Sequence, residues 1–302
     1  MSNPVPTRSL VDLLRDGPVQ APGAFNALCA RAIERAGFSA IYVSGAGLAN
    51  AVFGLPDVGM TTMTEAVAHA RNIVEATIVP IIVDADTGFG EAVNVARTVQ
   101  AMESAGVSAI HLEDQVLPKK CGHLEGKTLV SPEAMVEKIR AAAAARRSDH
   151  FTLFARTDAR SIEGFEGAVR RAQAYVAAGA DGLFPEAMES AEEFEKFGKA
   201  AAAMRTARGK PPILLANMTE DGKSPLLPFR QLAGMGYHVV IYPQTALRTA
   251  MGAVTRMLTD LRGTGSQTAW LEQMQRRKDL YELLDYDGLE AIDRAVTQPG
   301  AR

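Results

Sequence analysis

Acidic residues stand at positions where they could bind a metal ion. Asp84 and Asp86 are two residues apart at the end of a short apolar run, and Glu113 closes the next such run. If both runs are neighbouring strands, the two-residue period puts the aspartates on one face, with Glu113 beside them. A hard divalent cation such as Mg²⁺ relieves the repulsion among three convergent carboxylates. The alternative is that the aspartates cap the next helix or pair with Arg156, since Asp-x-Asp alone is a weak motif.

A second reactive group lies at residues 118–123, which read PKKCGH. Two lysines and a histidine surround Cys121, and nearby positive charge lowers the pKa of a thiol. We therefore expect Cys121 to be a reactive acid, base or nucleophile, against the alternative of an incidental loop cysteine. His123 is a candidate ligand, although loop histidines that only form hydrogen bonds are commoner.

Other groups are suited to hold an anionic substrate. Residues 44–47 (SGAG) offer backbone amides at a turn between a strand and a helix, where a carboxylate can bind. Arg156 and Arg248 carry planar guanidinium groups that pair with carboxylates. Either arginine could instead be a structural partner of Glu186 or Asp158.

Eight short apolar runs must position these side chains. Alanine-rich amphipathic segments at residues 91–105, 132–146 and 166–178 have the length and composition of intervening helices. Buried strands joined by helices predict a parallel sheet, and eight units favour a (β/α)₈ barrel of the α/β class. Polar residues at the strand ends then share one mouth of the barrel. The runs are residues 19–22, 40–44, 80–84, 109–113, 152–156, 182–186, 213–217 and 239–242.

The composition is that of a globular enzyme. The 302 residues are 47% hydrophobic and carry a net charge of −3, which gives no positive field for nucleic acid or an anionic membrane. The two cysteines, Cys29 and Cys121, are far apart, which argues against a disulfide framework and favours a reducing cytoplasm. No apolar run approaches the roughly 20 residues that cross a bilayer.

The amino-acid composition of the chain changes after Arg262. Residues 266–284 are rich in Gln, Glu and Arg with scattered apolar residues, including Trp270, and are predicted to form a helix. We predict one barrel domain over residues 1–302, in which residues 263–302 form a C-terminal helical extension for subunit contact.

Several motifs, taken together, resemble the isocitrate lyase and phosphoenolpyruvate mutase superfamily. They are SGAG at residues 44–47, DADTGFG at 84–90, HLEDQ at 111–115, KKCGH at 119–123 and ARTDA at 155–159. From about residue 8 to residue 293 the chain resembles the 2-methylisocitrate lyase family, including GLFPEAM at residues 182–188. The resemblance implies a TIM-type barrel whose last helix is swapped between the subunits of a homotetramer.

The resemblance also implies an activity. It is the Mg²⁺-dependent retro-aldol cleavage of 2-methylisocitrate to pyruvate and succinate, a step of propionate catabolism in the methylcitrate cycle, with Mn²⁺ as an alternative metal. The expected partners are a small di- or tricarboxylate substrate and further copies of the chain, without nucleic acid or membrane.

The same resemblance assigns roles to individual residues. Cys121 matches the acid that protonates the carbanion, and Tyr42 is our predicted base for the substrate hydroxyl, with Arg156 and Glu113 also counted as catalytic. The metal residues are Asp84, Asp86, Asp57 and Glu113. The substrate residues are Ser44, Gly45, Ala46 and Arg156 for the pyruvate-like half, Gly122, His123, Asn217 and Arg248 for the succinate-like half, and Glu186 along the wall.

One position departs from that family. The chain has CGHLEGK where many bacterial 2-methylisocitrate lyases have CGHRPNK, so Leu124 occupies a normally cationic position. Sister activities therefore stay open, among them 2,3-dimethylmalate lyase and oxaloacetate hydrolase, while oxaloacetate decarboxylases generally lack the cysteine loop. A phosphonate enzyme of the mutase branch and a non-catalytic binding barrel are the remaining alternatives.

Overall fold

Eight parallel strands run through the computed structural model, which describes residues 9–123 and 126–297. Each strand overlaps one of the predicted apolar runs, and the departure at Leu124 lies outside the described residues. The strands are β1 (Val19–Pro22), β2 (Ile41–Val43), β3 (Ile81–Asp84), β4 (Ala109–Glu113), β5 (Thr152–Thr157), β6 (Gly182–Pro185), β7 (Ile213–Asn217) and β8 (Val239–Tyr242).

The strands follow one another around the sheet in chain order. All strand pairs are parallel, and β1 pairs with β8, with Val19 opposite Val239. A parallel bridge between Gly23 and Tyr42 then connects the end of β1 to β2. The predicted (β/α)₈ barrel is confirmed.

Helices alternate with the strands and cover the outside of the barrel. The predicted segments 91–105 and 132–146 match α5 and α6, whereas the segment 166–178 is only the second part of α7, which is kinked at Gly164 (φ 76°). No helix within the described ranges combines the length and apolarity that would let it cross a bilayer. The helices are α1 (Leu10–Leu13), α2 (Ala27–Arg35), α3 (Gly45–Phe53), α4 (Met63–Val74), α5 (Ala92–Ser104), α6 (Pro132–Ala145), α7 (Arg160–Ala178), α8 (Ala191–Ala202), α9 (Phe229–Gly234) and α10 (Thr245–Thr264).

Two apolar clusters stabilise this arrangement. The inner cluster fills the barrel with inward-facing side chains such as Phe154, Phe184 and Leu215, and Leu10 of α1 packs on it from the amino-terminal end. The outer cluster lies between strands and helices. Because each fully buried large side chain contributes about 1.5–3 kcal/mol, these layers hold the strand ends in fixed positions.

The prediction of a single helix over residues 266–284 is wrong. Helix α10 ends at Thr264, and the next residue, Gly265, has a left-handed φ of 68°. A 3₁₀ helix (Thr268–Gln273), α11 (Arg277–Leu283) and α12 (Tyr286–Thr297) follow. The predicted helix is interrupted at residues 274–276, where Met274 and Arg276 have extended backbones. Trp270 is buried and donates a hydrogen bond to Asp260 over 2.8 Å. This bond holds the 3₁₀ helix against α10.

Candidate active site

The polar strand ends meet at the carboxyl-terminal mouth of the barrel, as predicted. They line a cavity of about 70 Å³, and the segment after β4 contributes a further wall. Gly45 lies next to the cavity, where its amide donates to Asp84 Oδ2 over 3.2 Å. The predicted site residues along the wall are Tyr42, Ser44, Ala46, Asp57, Asp84, Cys121, Gly122, His123, Arg156, Glu186 and Asn217.

Asp84 and Asp86 are both buried where β3 ends. The amide of Asp86 donates to Asp84 Oδ1 over 3.0 Å. Burial alone would raise the pKa of Asp84, but the charges of His111 and Lys119 help to lower it to about 2. Asp84 is therefore ionised at neutral pH and available to a cation.

A buried ammonium group lies among these acids. The Nζ atom of Lys119 contacts Asp57 Oδ1 and is 2.7 Å from Asp86 Oδ1, and the side chain is only 2% exposed. Burial would lower the pKa of Lys119, but Asp86 and the surrounding carboxylates raise it well above its ordinary value. Burial raises the pKa of Asp86 to about 6, and Lys119 partly offsets this rise. The sequence indicates Lys119 only as a neighbour of Cys121, and this ion pair was not predicted from it.

Arg156 forms a second buried charge cluster. Its NH1 atom is 3.2 Å from Glu113 Oε2, and its NH2 atom is 3.5 Å from Glu186 Oε2. Its Nε atom donates to Asp158 Oδ2 over 3.0 Å. Burial would lower the pKa of Arg156, but these carboxylates raise it well above its ordinary value. Arg156 thus has the structural partners anticipated as an alternative, while its side chain also lines the cavity.

The acidic residues fit a divalent cation in part. The Oε1 atom of Glu113 is buried and accepts no hydrogen bond from the described residues, whereas Asp86 Oδ1 is paired with Lys119 and Glu113 Oε2 with Arg156. Yet across residues 9–123 and 126–297 no three His, Cys, Asp or Glu side chains form a ready ligand set. The predicted convergence of three carboxylates is not reached, because Glu113 is paired with Arg156. Mg²⁺ needs only one or two carboxylates besides waters and substrate, which Asp84 and Asp86 can supply.

Hydrogen bonds and close packing hold the segment after β4 over the carboxyl-terminal mouth of the barrel. Lys120 exchanges two hydrogen bonds of 2.9 Å with the Gln115 side chain through its backbone. A Cβ atom at Gly122 would lie 2.3 Å from Glu186 Cγ, so only glycine allows this close approach. His123 accepts a hydrogen bond from the Lys223 amide over 3.0 Å. The backbone of residues 121–123 is thereby brought against the inner wall.

The expected lowering of the Cys121 pKa is wrong. Cys121 is exposed on the solvent side, but the protein packed on its other side raises the pKa of the thiol. Burial is the largest cause, and a hydrogen bond from the His123 backbone opposes it. One of the two lysines before Cys121, Lys119, is neutralised by Asp57 and Asp86. A thiol with a raised pKa stays protonated at neutral pH, which suits a proton donor better than a nucleophile.

Tyr42 is held as a neutral phenol. Its hydroxyl is 2.9 Å from His111 Nε2, which is itself 3.6 Å from Asp84 Oδ1. Burial raises the pKa of Tyr42 well above its ordinary value and lowers that of His111 to about 4. These directions disfavour Tyr42 as a base acting alone. His111 was not predicted as a site residue, although it lies two residues before Glu113 and thus on the same face of β4.

Two predicted substrate residues have different surroundings. Asn217 donates to Glu186 Oε2 over 3.2 Å inside the cavity. Arg248, one turn into α10, is half-exposed; its guanidinium contacts Asp221 and donates to the Glu220 carbonyl oxygen over 3.3 Å. The structure therefore brings Asn217 into the site but does not bring Arg248 there.

Comparisons with known proteins agree with this fold. The family model described as phosphoenolpyruvate phosphomutase matches residues 10–262. A probable 2-methylisocitrate lyase 2 of Corynebacterium glutamicum is 52% identical over 91% of this chain and 86% of its own length. The 2,3-dimethylmalate lyase of Eubacterium barkeri is 44% identical over 91% of each chain.

Two solved structures have the same fold as this chain. An oxaloacetate acetylhydrolase in complex with the inhibitor 3,3-difluorooxalacetate superposes with a TM-score of 0.89 at 32% identity, covering 97% of both chains. A phosphonopyruvate hydrolase in complex with oxalate and Mg²⁺ has a TM-score of 0.79 at 31% identity, covering 92% of this chain and 94% of its own.

Proposed function

The chain belongs to the phosphoenolpyruvate phosphomutase family, and from this we propose that it is a carbon–carbon lyase that cleaves 2-methylisocitrate into pyruvate and succinate. The observation that carries the proposal is the position of the protonated Cys121 thiol on the same small cavity as Asp84 and Arg156. Such a cavity combines a proton donor, a cation-binding acid and an anion-binding guanidinium group. The match to 2-methylisocitrate lyases over most of the chain selects the substrate.

Retro-aldol cleavage requires loss of the hydroxyl proton, breakage of the carbon–carbon bond and protonation of the resulting carbanion. Tyr42 accepts the hydroxyl proton and passes its own proton to the neutral His111 imidazole, whose Nε2 atom is 2.9 Å away. Mg²⁺, when bound by Asp84 and Asp86 with Asp57 and Glu113 nearby, supplies Lewis acidity toward the substrate hydroxyl and the developing carbonyl. Arg156 orients the pyruvate-like carboxylate through its planar guanidinium group.

The residues around Cys121, Glu186 and Asn217 bind the succinate-like half and protonate it. The Cys121 thiol donates its proton to the carbanion, and the segment that carries it limits the entry of water. Glu186 acts as a positioning residue, because its contacts with Asn217, His123 and Arg156 orient their donors. Burial alone would raise the pKa of Glu186, but Arg156 and the other donors lower it to about 2, so this carboxylate stays ionised.

A substrate panel tests the proposal. Purified protein with Mg²⁺ is mixed separately with 2-methylisocitrate, isocitrate, 2,3-dimethylmalate, oxaloacetate and phosphonopyruvate, and product release is measured. We expect the highest kcat/KM with 2-methylisocitrate. A higher value with 2,3-dimethylmalate or oxaloacetate would assign a sister activity, and no turnover of any compound would favour a binding barrel.

Removal of the metal is expected to abolish turnover, and added Mg²⁺ is expected to restore it, with Mn²⁺ as the second metal to try. Because a ligand that binds only the folded state stabilises it, Mg²⁺ at 100 times its Kd adds about 2.7 kcal/mol to the free energy of unfolding. Thermal unfolding with and without Mg²⁺ measures this effect.

Asp86→Asn should lose the Mg²⁺-induced stabilisation, whereas Asp149→Asn should keep it, since the Asp149 side chain is 97% exposed and far from the mouth. Full activity in excess chelator would remove the metal from the mechanism.

We also propose that residues 263–302 mediate assembly into a homotetramer by helix exchange. No residue of α12 is buried, and Leu289, Ile292 and Val296 are 46%, 55% and 74% exposed. An apolar helix face of this kind is typical of a subunit contact. The cytoplasmic location stays a prediction from the cysteines.

Charge on that helix face should separate the subunits. We expect the double variant Leu289→Glu, Ile292→Glu to lower the mass measured by light scattering, because two carboxylates cannot be buried without partners. Val93→Glu is the matched control, since Val93 is an exposed apolar residue (84%) elsewhere on the barrel. An unchanged mass of the double variant would contradict the proposed interface.

A further inference from the structure

A second, larger cleft lies at the amino-terminal end of the barrel. Its volume is about 420 Å³, and it is bordered by Ile213 at the start of β7 and by His238, which directly precedes β8. Strand starts and strand ends lie on opposite faces of a parallel barrel. The cleft is therefore separate from the active site, which occupies the strand ends.

One wall of the cleft is apolar. Val11 and Leu14 line it next to α1, and Ile213 lies opposite. Leu14 and Ile213 are only partly buried, and both pack against the inner cluster of the barrel. A hydrocarbon group could therefore cover exposed apolar surface here, at about 25 cal/mol for each Å² removed from water.

The remaining border carries positive charge. Arg15, Arg208 and Lys210 line the cleft together with one acid, Asp181. No carboxylate lies within 4 Å of the Lys210 ammonium group in the part of the chain that the structure describes. Asp181 is already engaged by Arg146 and, over 3.4 Å, by Arg208. Arg15 is paired with Asp12 over 3.0 Å, and Arg208 is also paired with Asp149 over 3.8 Å. Among the described cations of this border, the positive charge that is left uncompensated is therefore that of Lys210.

The neutral polar groups of the cleft add donors. The Leu214 amide donates to His238 Nδ1 over 3.0 Å, which assigns the proton of a neutral imidazole to Nε2. Burial lowers the pKa of His238, so the neutral form prevails at neutral pH. An imidazole N–H and the ammonium group of Lys210 beside an apolar wall match an anion that has a hydrocarbon part.

We propose that this cleft is a binding site for a small amphipathic monocarboxylate, with its carboxylate at Lys210 and its apolar chain against Leu14 and Ile213. The volume falls in the range of roughly 300–1,000 Å³ that is typical of small-molecule sites, larger than a bare inorganic anion needs. The proposal does not depend on the reaction catalysed at the other end of the barrel.

Ligand-observed NMR with three probes tests the site in the full chain. Hexanoate carries both charge and chain, acetate only the charge, and hexanol only the chain. We expect hexanoate to bind at least five-fold more tightly than either of the others. Lys210→Glu should weaken hexanoate binding at least ten-fold and leave hexanol binding unchanged. Lys196→Glu is the matched control, because Lys196 is exposed on α8 and does not line the cleft.

Two further outcomes decide the location. Hexanoate that stays bound in saturating succinate and Mg²⁺ supports the amino-terminal cleft, whereas its displacement would place the binding at the carboxyl-terminal mouth and overturn the proposal. Equal affinities for hexanoate and hexanol, or equal losses in the Lys210→Glu and Lys196→Glu variants, would also overturn it.

Discussion

Cys121→Ser is expected to lower kcat by about 10²–10⁴-fold, because a serine hydroxyl is a far weaker acid than a thiol. The free energy of unfolding should change little, since Cys121 is exposed and contributes no side chain to either apolar cluster. Steady-state kinetics on 2-methylisocitrate with Mg²⁺ measure the first effect, and urea unfolding measures the second.

Cys29→Ser is the matched control for this variant. Cys29 lies in α2, partly buried against the outer cluster and away from the cavity, so its replacement should affect stability and leave kcat near that of the unmodified protein. A Cys121→Ser variant with nearly full kcat would contradict the assigned acid, and an equal loss in both variants would indicate a general structural defect.

Arg156→Met is expected to lower the free energy of unfolding by about 3–5 kcal/mol, the usual result of breaking a buried ion pair from one side. The reason is that Glu113, Asp158 and Glu186 are all buried and share this one guanidinium group. Activity should be lost as well, because the same group lines the cavity. Urea denaturation monitored by circular dichroism gives the stability change.

Arg160→Met serves as the control, because Arg160 also pairs with two glutamates but at a partly exposed position. Its replacement should cost no more than about 1 kcal/mol. Adding Glu113→Gln to Arg156→Met should recover part of the lost stability by removing one unpaired charge. If Arg156→Met does not fold, Arg156→Lys tests the same cluster. If the Arg156→Met and Arg160→Met variants have equal free energies of unfolding, the larger contribution assigned to the buried ion pairs of Arg156 is contradicted.

The fold could be predicted because its signals are local. Short apolar runs and alanine-rich segments alternate along the chain, and each strand formed where such a run stands. The break between the 3₁₀ helix and α11 was missed, since Met, Gln and Arg at residues 274–276 are all good helix formers. The extended backbones of Met274 and Arg276 become visible only in the structure.

The site was predictable as a set of strand ends, but its electrostatics were not. The sequence places Lys119 two residues from Cys121, and only the tertiary structure shows that Asp57 and Asp86 neutralise it. Proximity along the chain therefore gave the wrong direction for the Cys121 pKa. The substrate role of Arg248 stays a prediction; helical spacing fixes its place on α10, whereas its ion pair with Asp221 is visible only in the structure.

The pairing of β1 with β8 has a consequence for how the protein is made. The first strand emerges early from the ribosome, whereas its partner begins only at Val239. Until then β1 lacks its hydrogen-bonding neighbour on that side, and such an open edge can pair with other chains. A Cβ atom at Gly23 would lie 2.1 Å from the carbonyl oxygen of Pro243, so the final docking step also requires a glycine there. A nascent chain that stops before residue 239 therefore exposes two unpaired strand edges, on β1 and β7, and only the addition of β8 removes both.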